Sequence, residues 1–449
     1  MKDLPVSDAH SALFSAIATS VLGGVLGGSL AAALVIGFTE ILKGMLAVVS
    51  RQHTWVIILV PLVGLGLSVL VLYGFGLSGE TKSGGQASAW RTFAPRTSRS
   101  DLTGDMVGSA GEEEKFPWRL APIRMLAMIA TVGFGAAMGT EAPAAYIGVA
   151  TGAALGSRWR RLLRPAAVGG GAAGVAALMG IPLLGTAYIL ELGHRHHAPL
   201  NAERVTAALA GGFVGWLLHV ALRVDLLRLV VPHEPPHSFY QAMITALAIG
   251  VLSGTITAMS GAAIHRAKTF TVHPIVRLTL SGLVLGAAAV VLAKIAAPSA
   301  AVGPGGGAIT WVESTPASAL TIFAVDILRA VATTSAAAAG GCGGLFVPFL
   351  AIGDLAGRVF APWFRVPSDL AGAAGAAGGI SGGYHLPFTA IAMVLGQGGH
   401  HLAMLTCFAT VVVAGFAGKL VASLFGHSYI EKRPHNSKPD SYTFGSSAA

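Results

Sequence analysis

The sequence predicts an all-α, multi-spanning membrane protein built from two repeated halves of broken helices. Three observations carry that prediction: too little charge for water, recurring long apolar runs, and one constant offset that maps the second half onto the first. The charge comes first. Of 449 residues, 53% are hydrophobic and only 11% charged, with a mean hydropathy of +0.69. Soluble domains carry about 25% charged residues, so this chain lacks the polar surface to stay in water.

Apolar runs occupy residues 12–38, 54–76, 120–157, 166–193, 204–222, 240–264, 276–297, 317–363, 369–398 and 402–425. Several exceed the ~20 residues that carry a helix across a bilayer. They lack the ten-residue alternation of a transmembrane β-barrel. Sixty glycines suit close helix packing, because lipid gives no hydrophobic drive and small residues let backbones approach. Breaks such as Gly180-Ile181-Pro182 and Val347-Pro348 predict half-helices rather than clean spans. The flank Arg158, Arg160, Arg161 and Arg164 accounts for much of the +9 net charge by the positive-inside rule, and an anion-attracting field is a second contribution. Cys342 and Cys407, the two cysteines, imply neither a disulfide framework nor a metal site. No cofactor or enzyme motif is expected. The expected organisation is a polar segment at 1–11, a transmembrane domain at 12–430 and a disordered polar tail at 431–449. The run after residue 11 reads as a retained first helix, not a signal peptide.

The offset is 205 residues. It pairs Gly139 with Gly344, Pro143 with Pro348, Ile147 with Ile352, Gly148 with Gly353 and Gly152 with Gly357. The same shift pairs Arg124 with Arg329 and Pro182 with Pro387. The halves run about 12–225 and 238–430. A unit this long is no solenoid repeat. It is the pattern of transporters with duplicated halves, whose broken helices aim their N-termini at a substrate near the bilayer midplane.

In Gly139-Thr140-Glu141-Ala142-Pro143 a proline stands where a helix can begin, because its missing N–H needs no partner there. The neighbouring backbone N–H groups and the positive helix end form an anion site. Gly344-Leu345-Phe346-Val347-Pro348 repeats the arrangement. Two such termini hold a desolvated anion without a full positive charge, which permits fast release. Glu141 is an acid inside an apolar run, and such residues are costly and usually functional. Its expected role is a carboxylate that fills the anion site when ionised and leaves it when protonated. The bland alternative is a structural ion pair with a cation such as Arg124.

These segments resemble the chloride channel (CLC) family of anion channels and proton-coupled exchangers. Gly139-Thr140-Glu141-Ala142-Pro143 is similar to the family's Gly-(Arg/Lys)-Glu-Gly-Pro, departing at Thr140 and Ala142. Gly344, Phe346 and Pro348 match its Gly-x-Phe-x-Pro. Pro122, Arg124 and Thr131, the helices starting at Pro182 and Pro387, and Gly305-Gly306-Gly307 extend the likeness over about residues 15–430. The resemblance implies a CLC-type fold of two inverted-topology repeats and a homodimer in the cell inner membrane with one anion pathway per subunit. By the same resemblance Glu141 is the gate, the amides of Leu345 and Phe346 line the central anion site, and Tyr429 supplies a hydroxyl to the ion. Tyr429 reads equally as an interfacial aromatic anchor.

Two departures qualify the likeness. The family's Gly-Ser-Gly-Ile-Pro is absent upstream of Arg119. Ser83, in Lys82-Ser83-Gly84-Gly85-Gln86, is the expected inner anion ligand and Ser78 its rival, with a polar insertion at about 92–116 between them and Arg119. Exchangers of the family also carry an inner glutamate directly after an acidic residue on the Pro182 helix. Here that pair is Glu191-Leu192, and leucine cannot relay a proton. The sequence therefore favours channel-like or weakly coupled chloride permeation over ordinary proton-coupled exchange.

His194, His196 and His197, with Arg195, follow an apolar helix, but no carboxylate or cysteine completes a tetrahedral metal set. A solvated loop is expected there, and likewise at His400 and His401. An intramembrane serine protease is the remaining alternative, from Gly76-Leu77-Ser78-Gly79. That chemistry needs a histidine base beside the serine, and His219, His265 and His427 carry no motif that places one there. A serine-reactive probe is expected to leave Ser78 of the purified protein unlabelled; robust labelling at that residue would overturn the transport reading.

Overall fold

The computed structural model describes residues 6–74, 100–195, 197–224, 229–232, 234–269 and 272–425. Among them the regular structure is helical. The first half comprises α1 (Val6–Ser50), α2 (Thr54–Gly74), α3 (Leu102–Gly108), α4 (Ala121–Met128), α5 (Glu141–Gly156), α6 (Leu163–Met179), α7 (Pro182–His194) and α8 (Ala202–Ala221). The second comprises α9 (Phe239–Thr269), α10 (Pro274–Ile295), α11 (Gly306–Ser314), α12 (Ala319–Ala338), α13 (Phe346–Phe364), α14 (Ser368–Gly379), α15 (Pro387–Gln397) and α16 (His401–Phe425). Eight of the described helices are long and apolar enough to cross a membrane. The protein is thus an integral, multi-pass membrane protein.

The 205-residue offset is realised in three dimensions. It carries the first residue of α5 (Glu141) onto that of α13 (Phe346), Leu163 of α6 onto Ser368 of α14, and Pro182 of α7 onto Pro387 of α15. The packing repeats with it. Helix α6 is wrapped by α1, α5 and α8, and α14 by α9, α13 and α16. These central helices are glycine- and alanine-rich for a steric reason. A Cβ on Gly148 or Gly152 of α5 would fall on the backbone of Gly170 or Ala166 of α6. A Cβ on the equivalent Gly353 or Gly357 of α13 would fall on Gly375 or Ala371 of α14. Backbones touch directly in both halves, which is how helices gain contact in lipid without a hydrophobic drive.

The repeated arginines are both buried and both brace neighbouring segments. Arg124 pairs with Asp105 of α3 at 2.7 Å and lies 5.0 Å from the Tyr146 ring centroid. Arg329 donates to the carbonyls of Ala300 (3.2 Å) and Gly303 (2.7 Å), fixing the approach to α11.

One expectation needs correction. Residues 100–116 are not a polar insertion but part of the fold, with Leu102, Thr103, Met106, Glu113 and Phe116 all buried. Asp105 and Glu113 pair inside with Arg124 and Arg204, which composition alone does not show. The first helix begins at Val6, within the polar segment 1–11. Replacing Gly152 or Gly357 by valine should destabilise the protein similarly, by about 1–3 kcal/mol from overpacking. The check is the thermal midpoint of monodisperse protein in detergent, and a variant as stable as wild type would contradict the backbone contact.

Candidate functional site

The site forms where the two halves meet. Gly139 N–H donates to the Gly344 carbonyl (2.8 Å) and Gly344 N–H to the Gly139 carbonyl (2.9 Å), an isolated antiparallel bridge between equivalent residues. Such reciprocal pairing is a local two-fold, and it sets the starts of α5 and α13 against each other. Glu141, the first residue of α5, crosses that axis. Its Oε1 accepts the backbone N–H of Phe346, the first residue of α13, at 2.6 Å. The carboxylate fills the space that side chains at 139 and 344 would need, since a Cβ on either glycine would strike it.

Glu141 is fully buried, and its Oε2 has no hydrogen-bond partner among the described residues. The structural alternative named Arg124 as its cation, but Arg124 is committed to Asp105. The carboxylate is held instead by the dipole and the free N–H of α13, a charge-assisted hydrogen bond of the class worth about 1.5–3 kcal/mol. Backbone N–H groups at a helix start are, in general, also anion ligands. Leu345, the other expected amide ligand, is the buried residue directly before α13.

Around Phe346 stand aromatic residues the sequence reading missed. Its ring meets Tyr188 of α7 edge-on at 5.8 Å and Tyr384 at 6.1 Å. Both tyrosines are fully buried. The Tyr384 hydroxyl is 3.2 Å from Thr103 Oγ1 of α3 and also interacts with the Tyr188 hydroxyl. A sequence signal existed: tyrosine is scarce here, with seven in the chain, and these two lie in apolar runs beside helix-starting prolines. The expected hydroxyl donors Ser83 and Tyr429, and the rival Ser78, lie outside the described residues. Among the described residues, Ser100 is buried two residues before the start of α3.

Glu191 joins the halves a second time. Phe388 N–H donates to its Oε1 (3.1 Å), while Thr389 N–H (2.8 Å) and the Thr389 hydroxyl (2.7 Å) donate to Oε2. It caps the first turn of α15 from α7 and so satisfies N–H groups that have no helical partner. Leu192 beside it is buried. Arg195 corrects the solvated-loop expectation, because its Nη1 donates to the carbonyls of Tyr384 (3.2 Å) and His385 (2.7 Å). The irregular turn after α14 leaves those carbonyls without helical partners, and the guanidinium supplies them.

The sequence model described as "Voltage gated chloride channel" matches residues 84–419, well over half of the chain. The chain belongs to the voltage-gated chloride channel (CLC) family. Among its relatives is the H(+)/Cl(-) exchange transporter ClcA of Cronobacter sakazakii, 26% identical over 363 residues and matched over 73% of both chains. That of Salmonella typhi is 24% identical over 349 residues, covering 73% of this chain and 72% of its own. The fold matches a CLC-type fluoride/proton antiporter with a TM-score of 0.68 at 22% identity, over 93% of this chain and 98% of the other. A slow cyanobacterial Cl-/H+ antiporter matches at 0.67 and 18% identity, over 91% and 97%. The CLC architecture of two inverted repeats is therefore this chain's fold, and anion transport is its function class.

Glu191→Ala leaves two N–H groups of α15 without their acceptor and should cost about 0.5–2 kcal/mol, as loss of a helix cap does. Thermal unfolding in detergent measures this, with transport per folded molecule staying near wild type. Loss of transport without loss of stability would give Glu191 a role in the pathway instead.

Proposed function

We propose that this CLC protein exchanges a small anion, chloride by default, for protons across the cell inner membrane. One observation carries the reading. The Glu141 carboxylate, with no cation partner among the described residues, sits on the Phe346 N–H at the N-terminus of α13. That terminus holds one anion at a time. While Glu141 is ionised its own oxygen is that anion. Once protonated, it no longer competes, and a mobile anion takes the amide. Each visit of the anion is thereby tied to a proton on Glu141, which is the requirement for exchange.

Leu192 favoured a channel-like pathway in the sequence. Against it, ClcA is named an H(+)/Cl(-) exchange transporter, and two matching structures are named antiporters. These names support exchange for the present chain over passive permeation. The amides of Leu345 and Phe346 act as anion ligands in this scheme, and family resemblance supports a homodimer with one pathway per subunit. The relatives and matching structures bear the names of transporters and antiporters, which supports a transporter reading.

Reconstituted liposomes test the reading, with anion efflux and proton movement recorded together. Wild type should take up protons against their gradient when chloride runs down its own. Glu141→Gln keeps an acceptor for the Phe346 N–H but cannot carry a proton. It should abolish proton movement and leave anion flux insensitive to pH. If no anion moves under any gradient, the function fails; if wild-type anion flux carries no protons, exchange fails and passive permeation stands.

A further inference from the structure

Exchange requires protons to reach Glu141 from the cytoplasm, and Leu192 stands where the family resemblance puts an ionisable relay. Two adjoining cavities show another way in. The inner one, about 30 Å³, is lined by Met106, Val149, Ile189 and Leu192, and by Glu113 with Arg204. The outer one, about 50 Å³, is lined by Arg164, Asn201 and Glu203, and again by Glu113 with Arg204. Each has room for at least one water, since a cavity needs about 10–15 Å³ of such volume. Glu113 and Arg204 form the polar part of the wall between them. The outer cavity abuts the Arg158–Arg164 flank, which the positive-inside rule assigns to the cytoplasm.

Glu113 is buried and held on one side only. Its Oε1 accepts from the Arg204 guanidinium and from Gly111 N–H. Among the described residues its Oε2 has no hydrogen-bond partner; the exposed Arg164 faces it at 3.8 Å and also faces Glu114. A structural ion pair needs only the anchored oxygen. The second oxygen, buried beside both cavities without a hydrogen bond among the described residues and reached by the long contact of exposed Arg164, is placed to take a proton and pass it on.

We propose that Glu113 is the cytoplasmic proton carrier of this exchanger, moving protons between the outer cavity and the chamber lined by Leu192. The proposal rests on the exchange reading above. A proton from water in the outer cavity binds Oε2 and leaves to water in the inner chamber, while Arg204 holds Oε1 throughout. Beyond the chamber, Thr103 lies one turn before Met106 on α3, and Tyr188 one turn before Leu192 on α7. Their hydroxyls and that of Tyr384 continue towards Phe346 and Glu141. The relay has moved from α7 to the segment between α3 and α4, which explains how leucine is tolerated at 192.

The experiment is the proton-to-anion ratio of the full-length protein in liposomes, for wild type, Glu113→Gln and Glu113→Asp. Glu113→Gln should lower the ratio at least tenfold, and Glu113→Asp, which keeps a titratable oxygen, should hold it within about threefold of wild type. A ratio unchanged in Glu113→Gln overturns the proposal and leaves exchange intact. Both variants losing all transport also overturns it, because Glu113 is then a packing residue. A wild-type ratio of zero instead removes the exchange reading on which the proposal stands.

Discussion

Everything at the centre of this protein depends on two helix N-termini facing each other across one backbone bridge. The Gly139–Gly344 pair exchanges both hydrogen bonds, so α5 and α13 cannot drift apart without breaking them. A helix start is a partial positive charge with unsatisfied N–H groups. In a dry interior those groups demand an acceptor, and Glu141 provides it at 2.6 Å. Because the acceptor sits on a side chain and not on the backbone, it is replaceable. Under the exchange proposed above, an anion that brings the same charge would satisfy the same donors without a lysine or arginine to hold it.

That arrangement constrains the rest of the fold. For α5 and α13 to start at one point, each must pack tightly on its own partner, α6 or α14, and the glycines make this possible. The equivalent pairs Gly148–Gly170 and Gly353–Gly375 leave no room for a Cβ. The second inter-half tie, Glu191 on the first turn of α15, follows the same logic at lower stakes. It is a carboxylate at a helix start, but a half-buried one with three hydrogen bonds, and it serves as a fixed cap. The same chemical group is fully buried on the single Phe346 N–H at Glu141 and a three-bond rivet at Glu191.

Much of this was legible in the residues. The repeat offset, the prolines and the isolated acid in an apolar run mark α5, α13 and Glu141 in the sequence itself, because each is a local violation of what lipid tolerates. The partners of that acid were not legible. Tyr188 and Tyr384 reach Phe346 from segments far apart in the chain, and no periodicity links them. The segment 100–116 was misjudged for a related reason. Its Asp105 and Glu113 read as exposed polar residues until Arg124 and Arg204 are seen beside them.

Sequence alone therefore determined the class of the molecule, its two-fold duplication and the identity of the central carboxylate. These follow from composition and order, which transfer energies and helix-start chemistry convert directly into structure. Only the tertiary structure decided which charges are spoken for. Arg124 belongs to Asp105 and not to Glu141, while the carboxylates of Glu141 and Glu113 each keep one oxygen without a hydrogen bond among the described residues. Pairing is a matter of a few ångströms between distant segments, and nothing short of the folded chain records it.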